Sequence, residues 1–404
     1  MKRKLVAAVL AILLLSGCAA PEEAKEESVM TAEPVATEAA DPVYDAMVER
    51  SLLNIGNPYR LQQKIRAAQN GEDITIAYIG GSITEGPDVS YAQRYVTITA
   101  REFEEAYCHG GTVTCVNAGL SGTPSNLGLV RLKKDVLDYS PDIVFVEFAV
   151  NDSQDFHEKQ CFESLVRTIL TRENEPAVVL VFNRTQDGYT CQSVMGLTGM
   201  FYRLPMVSVT NAITEELDSG RMQLRDFSDD TVHPNANGHR MTSDFIAHLF
   251  AEAEAGQWEE YTVPEDTQYQ APFVSPILVT PDTESDCITD LGSFAPFRAN
   301  RTGFPVQWRA EGTEPMKFTV TGNAVFLIYH RSNVGNFGSA DVYINGEKAM
   351  TIDARDPNGW GEPFSKLLTK SKTMETYEIE IHPHQGSADG IFDIYGIAYT
   401  QNET

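Results

Sequence analysis

The segment DIVFVEFAV, from Asp142 to Val150, is an almost unbroken apolar run of strand length. A strand buried on both faces has this pattern, and such strands occur mainly in parallel sheets that are covered by helices on each side. Further apolar runs at 74–79, 113–116, 177–182 and 206–209 alternate with segments of helical periodicity. The pattern predicts a three-layer α/β domain over residues 46–257, with right-handed crossovers between parallel strands.

The second half of the chain has a different pattern. Short alternating runs separated by turn residues follow Trp258, and they include MKFTVTG at 316–322, AVFLIYH at 324–330 and TYEIEIHP at 376–383. The pattern is typical of antiparallel strands and predicts an all-β sandwich or jelly-roll domain over residues 258–404. Its aromatic residues either stack on sugars or form the core; they are Trp308, Tyr329, Trp360 and Phe364. Its histidines form either a metal cluster or separate surface contacts; they are His330, His382 and His384.

The N-terminus has the features of an export signal. Lys2, Arg3 and Lys4 precede an apolar run from Val6 to Leu15, which is too short to span a bilayer. The run ends in Leu-Ser-Gly-Cys, which resembles a bacterial lipobox. We therefore expect residues 1–18 to be a lipoprotein signal with Cys18 lipidated, although an ordinary secretory signal is the alternative. Residues 21–42 have almost no large apolar side chains, which predicts a disordered tether over residues 19–45. The protein would face the extracytoplasmic side of the membrane on its lipid anchor.

The charge balance limits the possible partners. The formal net charge is −26, from 31 Lys and Arg against 57 Asp and Glu. An acidic protein is repelled by nucleic acids and by anionic membrane surfaces, so we exclude the first and expect membrane contact through the lipid anchor only. A neutral substrate such as a sugar is compatible with this charge. The composition gives no oligomeric state.

Five cysteines remain beyond Cys18. Cys108 and Cys115 flank a Gly-Gly turn and are candidates for a disulfide, which an exported protein can retain. Cys161 with Cys191 is a second hypothesis. Because the count is odd, at least one thiol stays free. The spacing of the cysteines does not resemble a zinc site.

The segment IAYIGGSITEGPD, from Ile76 to Asp88, ends a predicted strand on two glycines and a serine. Glycine and serine are common in turns, which is the simpler interpretation. A serine at the end of a strand, with little bulk around it, is also a suitable nucleophile if a base lies nearby. Ser82 is therefore a candidate that needs partners elsewhere in the chain.

Three other segments contain suitable partners. DDTVHPNANGH, at 229–239, places Asp230 three residues before His233, a spacing that lets the carboxylate contact the imidazole. VEFAVND places Asn151 after the buried strand, where its amide could donate to an oxyanion. In VNAGLSGTPSN, Gly122 has no Cβ to obstruct a ligand. Each segment by itself is also an ordinary turn or cap.

The four segments together, in the order Ser, Gly, Asn, Asp-His, carry more information than any one of them. In this arrangement residues 57–252 resemble the SGNH hydrolases, also called GDSL-type esterases. The resemblance implies a flavodoxin-like parallel sheet, Ser82 as nucleophile, Asp230 and His233 as its triad partners, and Gly122 and Asn151 with the Ser82 N–H as the oxyanion hole. It implies no metal or organic cofactor. The family often has Asp before its serine, whereas Gly81 takes that place here.

Members that resemble this chain include esterases that remove acetyl groups from polysaccharides, often with a β-sandwich domain. We therefore expect a serine esterase that hydrolyses short acyl esters, with acylated carbohydrate or another small ester as substrate. A general short-chain carboxylesterase or a lysophospholipase is the alternative within the enzymes. A non-catalytic carbohydrate-binding lipoprotein is the alternative outside them.

Overall fold

The computed structural model describes residues 41–283, 285–298, 303–384 and 390–401. The predicted signal with Cys18, and most of the predicted tether, lie outside the described residues. The first helix begins at Pro42, so residues 42–45 at the end of the predicted tether are helical. Residues Pro42–Thr404 form one compact unit.

The first part of this unit alternates helices with short strands. Its helices are α1 (Pro42–Ser51), α2 (Tyr59–Gln69), α3 (Ser82–Glu85), α4 (Tyr95–Tyr107), α5 (Ser125–Asp135), α6 (Phe156–Leu170), α7 (Gln192–Phe201), α8 (Val209–Ser219) and α9 (Ala236–Ala255), with 3-10 turns at Tyr91–Gln93, Leu137–Tyr139 and Leu224–Asp226. Its strands are β1 (Leu52–Asn54), β2 (Ile74–Gly80), β3 (Val113–Gly119), β4 (Ile143–Glu147), β5 (Ala177–Phe182) and β6 (Met206–Ser208).

These strands form one sheet in the order β1-β6-β5-β4-β2-β3. Strands β2 to β6 are parallel, and β1 pairs antiparallel with β6 at the edge. The parallel part has the flavodoxin-like order, with β2 between β3 and β4. Consequently the segments that carry Ser82, Gly122 and Asn151 leave the sheet side by side, at the carboxyl ends of three adjacent strands.

Helices cover both faces of the sheet, as the apolar strands predict. On one face, residues of α5 and α6 such as Leu132 and Leu165 are buried against the strands. On the other, α2 and α9 contribute Ile65 and Leu249. The α/β fold class expected from the sequence is confirmed.

Two local expectations differ from the structure. Strand β4 ends at Glu147, three residues before the end of the predicted run, because the N–H groups of Asn151 and Asp152 both donate to the carbonyl of Phe148 and close a turn. The i, i+4 spacing of Tyr91 and Tyr95 predicts a shared helical face, but Tyr91 lies in a separate 3-10 turn and is 58% exposed.

The second part of the unit is antiparallel, and the predicted all-β domain is confirmed. Its strands are β7 (Ile277–Val279), β8 (Ile288–Asp290), β9 (Phe294–Arg298), β10 (Val306–Ala310), β11 (Met316–Ser332), β12 (Ser339–Ile344), β13 (Glu347–Asp353), β14 (Trp360–Pro383) and β15 (Asp393–Thr400). The main path is β13-β12-β14-β11-β15-β10-β9, with β7 on β15 and β8 on β11. The long strands β11 and β14 pair along most of their length, with bulges that bend them.

The segment between α9 and β7 is fixed to the first domain by a buried carboxylate. Glu163 of α6 accepts hydrogen bonds from the backbone N–H groups of Gln268, Tyr269 and Ala271. A buried carboxylate is stable only when it is paired in this way. The β domain is therefore joined to the α/β domain by an ordered segment.

Cysteines at the two hypothesised disulfides are free thiols. Cys108, Cys115, Cys161 and Cys191 are unpaired, and so is Cys287. The Cys115 thiol points from β3 toward the carbonyl of Val96 in α4, which turns it away from a bridge. Among the described residues, none of the helices combines the length and apolar character needed to cross a bilayer.

Candidate active site

Ser82 is the first residue of α3, directly after β2 and the two glycines. Both glycines are required by close packing. A Cβ on Gly80 would lie 2.2 Å from Thr84 Oγ1, and a Cβ on Gly81 would lie 2.2 Å from Asn151 Oδ1. The Asn151 amide thus occupies the space that an aspartate side chain at position 81 would need, which explains the departure from the family pattern.

The structure brings the predicted serine, histidine and aspartate together. Ser82 Oγ lies 2.8 Å from Nε2 of His233, and Nδ1 of the same ring lies 2.6 Å from Asp230 Oδ2. Ser82 is only 7% exposed, whereas the His233 side chain is 29% exposed. With the Nδ1 proton held by the carboxylate, Nε2 is free to accept the serine proton.

The loop that carries Asp230 and His233 is held by hydrogen bonds within itself. Asp230 Oδ1 accepts the N–H groups of Val232 and His233, each at 2.6 Å, and Ser228 Oγ donates to the carbonyl of His233. Burial raises the pKa of Asp230, but these N–H donors and the imidazole outweigh it, so the pKa lies below its ordinary value. The neighbouring Asp229 accepts from Asn235 instead. The carboxylate on the imidazole is therefore that of Asp230, and it is ionised.

Gly122 and Asn151 lie on either side of this serine turn. Gly122 has φ +68°, a left-handed conformation that glycine adopts without strain. Its loop is fixed to the serine turn because Ser121 N–H donates to Glu85 Oε2 at 2.7 Å. Asn151 lies against Gly81, the residue before Ser82. Both residues therefore flank the turn that carries Ser82.

Two buried carboxyl groups tie the Gly122 loop to the Asn151 loop. Asp152 accepts the N–H of Ser125 at 2.6 Å and also its hydroxyl, and Glu158 accepts the amide of Asn126 at 2.6 Å. Burial raises the pKa of both carboxyl groups. The relative position of the two candidate oxyanion donors is thus set by these contacts.

Arg131 is a structural residue that the sequence analysis missed. Its side chain is 2% exposed, and the guanidinium donates to the carbonyls of Gly80 and Ala118 at 3.1 and 2.7 Å, with Asp135 as its ionic partner at 3.0 Å. The contacts join the ends of β2 and β3 just before Ser82 and Gly122. In the sequence Arg131 is one of several basic residues of this helix. The only local sign of its role is the i, i+4 spacing to Asp135, which indicates an ion pair.

Glu147 is a second residue that was missed. It ends β4 with no exposed surface, and its carboxylate accepts the hydroxyl of Thr84. Thr84 also contacts the hydroxyl of Tyr95 at 2.9 Å. Burial raises the pKa of Glu147 to about 7, although the Thr84 hydrogen bond opposes the shift. The protonatable side chain of Glu147 therefore contacts Thr84, which lies two residues after Ser82 in the chain.

The raised pKa of Glu147 predicts a pH-dependent effect of Glu147→Gln on stability. Below pH 4.5, the ordinary pKa of a glutamate side chain, the carboxyl of Glu147 is protonated in both the folded and the unfolded chain. It then does not lower the free energy of unfolding. As the pH rises to about 7, the unfolded chain loses its proton first, so the wild type is progressively destabilised. We expect the variant to have a higher melting temperature than the wild type at pH 8, with the difference shrinking toward pH 4.

Thermal unfolding at pH 4, 6 and 8 tests this expectation, with Glu72→Gln as the control because Glu72 is exposed. An equal gain at all three pH values would assign the effect to packing and contradict the titration argument. The same gain in the Glu72 variant would assign it to net charge.

The β domain contributes one side chain to this site. The Trp360 ring contacts Gly122 so closely that a Cβ on the glycine would lie 2.4 Å from a ring carbon. Trp360 is 48% exposed, whereas Trp308 and Tyr329 are each 5% exposed and belong to the core. Phe364 packs against the same core. Of the four aromatic residues considered from the sequence, Trp360 alone combines exposure with a position at the site.

A buried ion pair holds the backbone of Trp360. Its N–H donates to Glu362 Oε2 at 2.7 Å, and Glu362, which has no exposed surface, is paired with Arg331 at 2.6 Å. Arg331 also contacts Asp356 at 3.1 Å. Because breaking such a buried pair leaves an uncompensated charge, this turn of the β domain is firmly placed.

The three histidines of the β domain have separate partners. His330 contacts the hydroxyl of Tyr395, His382 pairs with Glu380, and His384 pairs with Asp341. Within the described ranges, the group of side chains close enough to hold a metal ion is Asp88, Asp230 and His233, which belongs to the candidate active site.

Comparisons with known proteins agree with this fold. Residues 78–241 match the model of the family described as GDSL-like lipase/acylhydrolase. A two-domain esterase (CEX) active on acetylated mannans, crystallised with mannopentaose, is 24% identical, with a TM-score of 0.77 over 88% of this chain and 98% of that one. A second crystal structure of such an esterase gives 24% identity and a TM-score of 0.78 over 88% and 99% of the two chains. A search of curated proteins found no match.

Proposed function

We propose, from the match of residues 78–241 to the GDSL-like lipase/acylhydrolase family, that the protein is a serine esterase that removes acetyl groups from carbohydrate. The observation that carries the proposal is the unbroken contact from Ser82 Oγ through His233 to Asp230, at 2.8 and 2.6 Å. A serine, a base and an orienting acid in this geometry are the requirements for nucleophilic acyl transfer.

The reaction has two halves. His233 Nε2 takes the Ser82 proton as Oγ attacks the ester carbonyl, and the oxyanion that forms is stabilised by the Ser82 and Gly122 N–H groups and the Asn151 amide. The alcohol leaves with the proton from His233. Water, activated by the same imidazole, then attacks the acyl-enzyme and releases acetate. Asp230 remains ionised throughout and stabilises the imidazolium.

The surroundings of His233 support an ester substrate whose alcohol part is polar and extended, such as a sugar chain. A cavity of about 400 Å³ lies beside the imidazole, and hydroxyl, amide and carboxylate side chains line it, among them Ser90, Gln93 and Asn235. Such groups hydrogen-bond sugar hydroxyls, while Val89, Pro234 and Ala236 give the same cavity an apolar part. The formal charge of −26 is compatible with a neutral polymer.

Two exposed aromatic rings next to the candidate oxyanion donors also support a sugar substrate. Trp360 contacts Gly122, and the hydroxyl of Tyr189, a residue 41% exposed, donates to the carbonyl of Asp152. Flat apolar rings with an exposed face suit the faces of pyranose rings. The esterase of known structure is described as active on acetylated mannans.

Release of acetate from acetylated mannan and acetylated xylan tests the proposal directly. We expect the purified chain to release acetate, and we expect p-nitrophenyl acetate to be hydrolysed faster than the octanoate. Preference for octanoate would favour a lipase-like enzyme, and activity on small esters without activity on either polymer would favour a general carboxylesterase. If no ester is hydrolysed, the remaining interpretation is a non-catalytic carbohydrate-binding protein.

Trp360→Ala separates the role of the β domain from the chemistry. We expect KM for an acetylated mannooligosaccharide to rise about tenfold, since an aromatic platform worth about 1.4 kcal/mol is lost. We expect kcat for p-nitrophenyl acetate to stay within about twofold, because that ester does not reach the platform.

Initial-rate kinetics on both substrates provide the measurement, with Tyr139→Ala as the control. Tyr139 is 55% exposed but precedes β4, at the opposite end of the sheet from Ser82. Equal losses on both substrates in the Trp360 variant would contradict a role in sugar binding and would point to a displaced Gly122 loop.

The location of the enzyme follows from the lipobox, which ends at Cys18. The motif supports a lipid-anchored protein on the extracytoplasmic face of a bacterial membrane, where polymeric substrates are accessible. This part of the proposal rests on the sequence alone.

A further inference from the structure

Two carboxylates face the same nitrogen of His233. Asp230 Oδ2 lies 2.6 Å from Nδ1, and Asp88 Oδ2 lies 3.5 Å from it. Asp88 comes from a different part of the chain, the turn that follows α3, six positions after Ser82. The possible ligand atoms of the three side chains all lie within 4.8 Å of one another.

The two carboxylates are not equivalent. The N–H group at Nδ1 can donate one hydrogen bond, and the shorter distance indicates that Asp230 Oδ2 accepts it. The other oxygen of Asp230 accepts the N–H groups of Val232 and His233. At 3.5 Å the Asp88 contact is too long for a hydrogen bond and acts through charge. To act as the base His233 must have a neutral imidazole, on which the charge of Asp88 has little effect. Once His233 holds the serine proton, the imidazolium faces two anions.

We propose that Asp88 is a positioning residue for His233: a second carboxylate that stabilises the imidazolium and accepts the hydrogen bond from Nδ1 when Asp230 is absent. The inference rests on the proposed function, because it requires His233 to act as the base. Only a small side-chain rotation is needed to shorten a 3.5 Å contact to hydrogen-bond length.

Exposure determines the size of the effect. The Asp88 side chain is 60% exposed and that of Asp230 is 49% exposed, so water screens both. The contribution of Asp88 to the intact enzyme is therefore modest, of the order found for exposed ion pairs. Since Asp88 lies on the surface, its replacement is not expected to disturb folding.

The test compares the wild type with Asp88→Asn, Asp230→Ala and the double variant, using p-nitrophenyl acetate. We expect Asp88→Asn to lower kcat by about threefold with KM unchanged, and we expect 1 M NaCl to reduce this difference by screening. In the Asp230→Ala background the same replacement is expected to cost about tenfold or more, because Asp88 is then the remaining acid on Nδ1. Asp88→Glu in that background is expected to preserve the residual activity.

Asp138→Asn is the control, because Asp138 carries the same charge and is exposed but pairs with Lys133 before β4, at the opposite end of the sheet from Ser82. Its kcat is expected to stay within about twofold of the wild type in both backgrounds. Equal factors for Asp88→Asn with and without Asp230, or equal factors for Asp88→Asn and Asp138→Asn, would overturn the proposal. Failure of the proposed function is distinguishable, since Ser82→Ala would then hydrolyse the ester as fast as the wild type.

Discussion

Replacing Ser82 with alanine is expected to lower kcat for ester hydrolysis by at least about 10⁴-fold while leaving the fold intact. Without Oγ no acyl-enzyme can form, so only the oxyanion donors and substrate binding remain to accelerate attack by water. The side chain is small and 7% exposed, and its hydroxyl contacts Nε2 of His233. Its loss therefore removes chemistry and very little packing.

Steady-state kinetics and labelling with a fluorophosphonate, a reagent that bonds to activated serines, provide the measurements. Ser90→Ala is the matched control, because Ser90 lies exposed in the cavity beside His233. We expect the wild type and the Ser90 variant to be labelled and active, and the Ser82 variant to be neither. Activity of the Ser82 variant within about tenfold of the wild type would require another nucleophile.

The fold was predictable where the chain has strong local patterns. The buried strand β5 begins at Ala177 and ends at Phe182, the limits that its apolar run predicts. The end of β4 was not predictable in this way, since Phe148 to Val150 are as apolar as the strand but form a turn. The turn is buried beneath the Asn151 loop, and a buried turn can consist of apolar residues just as a buried strand does. The pattern of apolar residues therefore cannot distinguish the two. The three residues of β1 are too few to show any period.

The candidate residues of the site could be selected from the sequence, but not all of their contacts. Ser82, Asp230 and His233 were selected because their segments occur together in the order of the SGNH hydrolases, and the structure places them in hydrogen-bond contact. Trp360 touches Gly122 across more than two hundred residues of sequence, and no local pattern encodes such a contact. Among several aromatic residues of the β domain, only the tertiary structure distinguishes the one at the site.

The acids around the site illustrate the same limit. Asp88 and Glu147 are ordinary residues in the sequence, one in a turn and one at the end of a strand. Their relevance depends on which loops are neighbours at the carboxyl edge of the sheet. The strand order, with β2 between β3 and β4, determines that arrangement. Topology therefore supplies information that motif spacing lacks.

The second large effect is expected from Asn151→Ala, which should lower kcat by about 10²–10³-fold with KM little changed. The Asn151 amide lies against Gly81, beside the nucleophile, and its Oδ1 is buried without a hydrogen-bond partner among the described residues. That oxygen can only accept hydrogen bonds, so the donor that an oxyanion formed at Ser82 needs is the amide nitrogen Nδ2 of the same side chain.

Because the interaction arises with the developing charge, its loss should reduce kcat and kcat/KM together. Kinetics with p-nitrophenyl acetate provide the measurement, and the melting temperature shows whether the turn before Asp152 is preserved. Asn174→Ala is the control, since Asn174 is exposed and its amide donates to the carbonyl of Pro141 before β4. A rise in KM with kcat unchanged would assign Asn151 to ground-state binding and contradict its place in the oxyanion hole. A loss of rate that merely follows a lower melting temperature would assign it to the fold.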